Sequence, residues 1–428
     1  MARSLTPPLA PSAQAPSWFA GAWRYGLSTA GPVATSGAHF LASLIFVRNL
    51  PASEFGLFSF VLIIVPFAMS MAGALLVLPV NAALGEPAAD RARIEASCLK
   101  MNLVLTAVAG LAVFAFLTVA RSPLLPGLLL AAFGATFTFR WFARCFAFVH
   151  GRAGTAIGSD IAYAGVLVTG LSAMQILHRV EFLPGMGLLL LAALAGLLPF
   201  GAGFFRDQFA AIRKGRLGDY RAIFRDLTRW SLIGVIFTEL TVNAHAYLVT
   251  FISGPGPFAL LAVGQILMRP ASLVQSALPD MELPRMTRAL AAGKDAHLPR
   301  MMRDFRLALI GVWLAAVSLA AAILTFAPEL LLRKGYALSD IILVTLITAA
   351  IMLVRCVRAP LATALQAAGQ FKALAGIGLY TSPISILLTL GFLLALGPIA
   401  SLVGILTGEM VIVLLLSRLM RARKECHG

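Results

Sequence analysis

Apolar runs of about twenty residues recur roughly every thirty residues along the whole chain, and that pattern leaves few folds open. Stretches such as 124–139 and 185–205 carry no charged residue at all. A soluble domain needs about 25% charged residues to solvate its surface, whereas 12% of these 428 residues are charged and 60% are hydrophobic. Lipid must therefore be the solvent for most of the surface. The runs are continuous, which excludes a β-barrel, whose strands alternate in polarity over about ten residues. An all-α, polytopic membrane protein of about twelve spans remains.

The spacing predicts helices at 27–47, 56–80, 98–120, 124–148, 156–178 and 184–205, then at 230–252, 258–280, 305–327, 338–360, 372–396 and 398–418. Gly/Pro breaks at 254–257 and 397–398 mark tight hairpins. The net charge of +16 does not point to nucleic acid, because the basic residues sit in short loops between apolar runs rather than on a polar surface with aromatics. They set orientation instead. With the N-terminus inside, only Arg48, Arg121, Arg179, Arg333 and Lys334 of the 34 Lys and Arg fall on the outer side. Both termini are therefore expected in the cytoplasm.

The predicted organisation is a Pro/Ala/Ser-rich cytoplasmic tail (1–20), a six-helix half (21–205), a basic connector (206–229), a second six-helix half (230–418) and a cytoplasmic tail (419–428). In the connector, Tyr220, Ile223, Phe224 and Leu227 share one helical face, while Arg221, Arg225 and Arg229 lie on another. This fits a helix on the anionic leaflet, or equally a linker helix packed on the bundle. The halves repeat weakly. His39, Pro66 and Pro79 in the first correspond to His245, Pro270 and Pro284 in the second, so a central cavity between halves is the expected site.

At 48–58 the sequence reads RNLPASEFGLF. It resembles the R-x-L-x-x-x-x-F-G-L-F signature of the polysaccharide flippases of the multidrug/oligosaccharidyl-lipid/polysaccharide exporter superfamily. A second, looser similarity is the Gly-rich hairpin at 254–257 followed by a long helix ending in Leu283-Pro284-Arg285. The resemblance implies a two-lobed, V-shaped transporter that moves lipid-linked oligosaccharides outward by alternating access. For the signature residues, capping is the favoured role. Pro51 and Gly56 would end one helix and start the next, with Glu54 suited to the helix dipole.

Charges inside a bilayer cost about 2.5–3.5 kcal/mol on insertion scales, so each needs a reason. Arg269 precedes Pro270 near the middle of the eighth span, and a kinked, cavity-facing helix with a guanidinium suits an anion. Cavity arginines of the related lipid II flippases imply a similar role for Arg269 and Arg24. The competing reading pairs Arg269 with Glu239 or Glu409. Arg140 with Arg144, and Arg355 with Arg358, share helix faces. Each pair either snorkels to the headgroups or lines a vestibule for a polyprenyl diphosphate. Asp160, Glu239 and Glu409 are candidates for ion coupling or for pairing with arginine. His39 and His245 are expected to hydrogen-bond between helices.

The four cysteines lack disulfide or metal-site spacing, and no metal or cofactor is expected. No nucleophile elbow, phosphate loop or zinc helix occurs, so a non-enzyme is expected. The expectation is a flippase of the bacterial inner membrane for a polyprenyl-diphosphate-linked oligosaccharide, serving exopolysaccharide or O-antigen synthesis. Its partners would be that lipid-linked sugar, membrane lipids, and polymerase and export machinery. The rivals are a cation-coupled multidrug exporter of the same superfamily and a membrane polysaccharide polymerase or ligase.

Overall fold

A computed structural model describes the backbone of residues 18–85, 87–293, 297–330 and 336–427, and most of their side chains. The expected tail at 1–20 lies outside the described residues up to 17; helix begins at Trp18.

Every described element is helical. The first set comprises α1 (Trp18–Asn49), α2 (Ala52–Ala72), α3 (Leu78–Ala82), α4 (Ala88–Val119), α5 (Leu124–Val149), α6 (Ala153–Ile176), α7 (Phe182–Ala195) and α8 (Gly201–Lys214). After α9 (Leu217–Ile223) come α10 (Arg229–Ile252), α11 (Pro255–Leu267), α12 (Arg269–Ala291), α13 (Leu298–Phe326), α14 (Leu338–Ala367), α15 (Phe371–Leu396) and α16 (Ser401–His427). Among the described residues, ten helical segments are long and apolar enough to cross a bilayer, or eleven if a bent pair counts as one. The 32-residue α1 also exceeds the roughly 20 residues a span requires. The chain is a multi-pass membrane protein.

Prolines set several starts. Pro51, Pro87 and Pro123 stand in extended conformation immediately before α2, α4 and α5, where a missing N–H costs nothing. The helices overrun the apolar runs where charge pairs extend them. α4 starts ten residues before the expected 98, with Arg91–Glu95 and Arg93–Asp90 pairs at i,i+4 and i,i+3. The sixth expected span is broken between α7 and α8 by a 3₁₀ turn at Leu198–Phe200 and by Gly201 at φ +71°. α2 passes through a π turn, Gly73–Val77, before α3.

The two sets pack alike. In the first, α1 meets α6, α5 meets α7, α6 meets α7 and α4 meets α5; in the second, α10 meets α15, α14 meets α16, α15 meets α16 and α13 meets α14. The seam between sets is α2 against α10 and α11. Phe60 of α2 stacks on Phe116 at 3.8 Å and meets Tyr247 and Phe258 edge-on across the seam. Gly56 departs from its expected place between two helices. It lies within α2, where a Cβ would collide with the Pro255 carbonyl, so its lack of a side chain lets the two sets meet.

The connector packs on the bundle. Tyr220 is buried and donates to the Leu75 carbonyl at 2.9 Å, and Lys100 of α4 donates to Gly215. Burial in the protein raises the Tyr220 hydroxyl pKa above its ordinary value. Phe224 stays partly exposed, and the side chain of Leu227 lies outside the described residues.

Candidate functional site

The basic pair of the first set sits on one turn of α5 and points at α6. Arg140 donates to Asp160 Oδ1 at 3.0 Å and to Ser159 at 3.1 Å, while Arg144 Nε donates to Asp160 Oδ2 at 2.7 Å. Arg140 and Asp160 each retain 3% of their side-chain exposure. The rings of Phe137 and Tyr163 both lie 4.7 Å from the Arg140 guanidinium. Gly31 of α1 covers the carboxylate so closely that a Cβ there would strike it. These arginines do not reach for headgroups; one shared carboxylate holds both.

On α14, the equivalent helix of the second set, Arg355 Nε donates to Glu409 at 2.7 Å and Arg358 lies 2.8 Å from the other carboxylate oxygen. Here the acid comes from α16, whereas in the first set it comes from α6. Glu409 is fully buried, and Arg355 and Arg358 keep 17% and 26% exposure. A cavity of about 210 Å³ lies beside this pair, with Asn243, His245, Gln265, Ser272, Thr348 and Arg355 as its polar lining.

Arg269 occupies the most unusual backbone. The eighth expected span is two helices, α11 and α12, whose axes bend by 64° at Met268. Pro270 falls in the first turn of α12, where proline is tolerated and where it ends the preceding helix. Arg269 is half-buried and within electrostatic reach of Tyr163 and His39, both of the first set. No carboxylate approaches it among the described residues. Glu409 is taken by Arg355 and Arg358. Glu239 accepts from Asn243 at 3.0 Å and from Tyr247 at 2.6 Å. Arg24 lies on α1, with its side chain outside the described residues.

The histidines have interhelical partners. His39 Nε2 and the Tyr163 hydroxyl are 2.5 Å apart, linking α1 to α6; Gln265 lies 2.7 Å from His245 Nε2, linking α10 to α11. Tyr163, Ser159, Gln265 and Gly31 gave no signal in the sequence, because uncharged residues in an apolar run look like packing. Asn243 and Tyr247 were findable, since Glu239, Asn243 and Tyr247 recur at i, i+4, i+8. Cys98, Cys145 and Cys356 are unpaired, and no group of His, Cys, Asp or Glu among the described residues is arranged to hold a metal.

No model of a protein family matches the sequence, and no curated protein does. Solved structures do match. An inward-facing multidrug resistance MATE family transporter of the MOP superfamily superposes with TM-score 0.66 at 13% identity, over 91% of this chain and 95% of its own. The lipid II flippase MurJ, in an inward closed conformation, gives TM-score 0.64 at 13% identity over 92% and 87%. An outward-facing MATE family transporter gives 0.60 at 14% over 92% and 93%. The chain has the fold of these transporters. At such identities the likeness covers backbone architecture alone.

Proposed function

We propose that the protein flips a polyprenyl-diphosphate-linked oligosaccharide across the bacterial inner membrane by alternating access, with both termini in the cytoplasm, and delivers it to polymerase and export machinery. One observation carries this reading: Arg269 stands at a helix break beside the seam with no acidic partner among the described residues. A guanidinium half-buried inside a membrane bundle without a counter-charge is costly, and a diphosphate entering from the seam supplies one. The planar fork of Arg matches two phosphate oxygens at once. The break helps as well, since the first turn of a half-helix presents unpaired N–H groups and a positive dipole end to an anion. Arg24 completes the proposed contact from α1. Arg140, Arg144, Arg355 and Arg358 form a basic lining in reserve, each with a carboxylate that the diphosphate must displace.

In proteoliposomes carrying a fluorescent lipid-linked oligosaccharide, Arg269→Ala should lower flipping about 10–100-fold, the equivalent of losing a charge-assisted contact of about 1.5–3 kcal/mol. Arg269→Lys should restore only part, because Lys keeps the charge without the fork. Full flipping by Arg269→Ala in protein of normal abundance refutes the assignment.

One feature favours a second reading, a cation-coupled drug exporter. Of the coupling candidates Asp160, Glu239 and Glu409, only Glu239 has no arginine among the partners described. Proton- or sodium-driven efflux of a lipophilic cation that disappears in Glu239→Gln and survives in Arg269→Ala would decide for the exporter.

A further inference from the structure

The second set contains a polar cavity in which only Arg355 has a part in the transport reading. His245 is 4% exposed, and its Nδ1 is buried without a partner. The Gln265 amide nitrogen faces His245 Nε2 at 2.7 Å. An amide nitrogen only donates, so Nε2 accepts and the ring proton of a neutral histidine resides on Nδ1. A buried N–H thus stands without an acceptor in a cavity that has room for one. Desolvating such a donor without compensation costs about 1–3 kcal/mol, so a guest that accepts hydrogen bonds is favoured.

The rest of the lining agrees on the sign of that guest. Arg355 commits one N–H to Glu409 and one to the Val242 carbonyl at 3.4 Å, out of the five a guanidinium carries. Asn243 gives one amide hydrogen to Glu239 and keeps its second. Ser272 and Thr348 spend their hydroxyl protons on the Arg269 and Val344 carbonyls, which leaves lone pairs for water. Met268 and Ser272 put the first turn of α12 on the wall, where a helix start adds positive potential. No carboxylate is among the lining residues, and the nearby acids Glu409 and Glu239 already have the partners described above. A bare cation would meet Arg355 and an N–H.

We propose that this cavity, between α10, α11, α12, α14 and α16, binds a small monovalent anion of the halide class through His245, Arg355 and Asn243. At about 210 Å³ it admits a halide with part of its hydration shell, given that a single water needs only about 10–15 Å³ of such space. The site needs no part of the substrate proposed above, shares only Arg355 with its lining, and lies beside the helix break that carries Arg269.

The test uses the purified full-length protein in detergent, melted in sodium chloride, sodium bromide, choline chloride or sodium gluconate at one ionic strength. Chloride and bromide should raise the melting temperature over gluconate by about 2 °C or more, with sodium and choline salts alike. Gln265→Glu should abolish the increment, because a carboxylate accepts from Nε2, moves the ring proton off Nδ1 and adds negative charge. His245→Leu should abolish it as well. Should both variants fold poorly, bromide anomalous scattering from crystals of the unaltered protein reads the site directly. The proposal is overturned by equal melting in gluconate, by an increment that follows sodium, by an increment that survives both substitutions, or by bromide density elsewhere only.

Discussion

The two helix sets place the same basic pair on the same helix, α5 or α14, and then treat it differently. In the first set the carboxylate comes from α6, Gly31 seals it, and two aromatic rings cover Arg140. In the second the carboxylate comes from α16, and a cavity opens beside Arg355. The repeat thus preserves where positive charge enters the bundle and leaves open which neighbour neutralises it. A buried charge must be paired, but any helix packed against α5 or α14 can supply the partner. The consequence is a first pair locked between α5 and α6, and a second pair with internal space and a bent span beside it.

The strongest way to break this contrast is to remove each acid. Asp160→Ala should destabilise by about 3–5 kcal/mol, because Arg140 is left charged with nowhere to go. Glu409→Ala should cost less, since Arg355 borders a polar cavity and Arg358 keeps 26% exposure. Melting temperatures and membrane abundance of the two variants measure the difference. Equal losses would mean that the cavity gives the second pair no relief.

The seam itself offers a smaller effect. Gly56→Ala drives a methyl into the Pro255 carbonyl, and overpacking of this kind costs about 1–3 kcal/mol. The two sets should separate along α2 and α11, which a spin-label distance measured across that seam would report as a shift to the longer population. Gly256→Ala, whose Cβ would meet nothing within 4 Å, should be silent within about 0.5 kcal/mol. An unchanged distance in Gly56→Ala would show that the seam is not held by this contact.

The gentlest probe concerns orientation. Gly256→Cys should fold normally for the same reason and react with a membrane-impermeant thiol reagent added to intact cells, whereas native Cys426 should react only after permeabilisation. Outside labelling of Cys426 would reverse the sidedness of both sets.

How much of this was readable in advance varies with the interaction. The span count and the approximate helix positions follow from apolar runs, and the kink at Arg269–Pro270 follows from proline chemistry. Pairings did not follow. The sequence left Arg269 between a substrate and Glu239 or Glu409, and nothing in it shows that Arg355 and Arg358 occupy Glu409 from a helix some fifty residues earlier. Likewise the FGLF glycine reads as a helix-end residue until α11 is seen against it. Asn243 and Tyr247 are the exception, because their contact with Glu239 lies along one helix and local spacing encodes it.

By itself, then, the sequence determined the solvent, the secondary structure and the places where charge enters the membrane. Each of these depends on a local free energy: the transfer of a run of side chains from water to lipid, the dihedral limits of proline, and the insertion cost of an arginine. Only the tertiary structure decided which carboxylate meets which guanidinium, that Arg269 meets none among the described residues, and that His245 faces a cavity with its Nδ1 unpaired. Such outcomes depend on the relative placement of helices far apart in the chain. Each helix satisfies its own backbone internally, so its sequence carries little record of the neighbour it will touch.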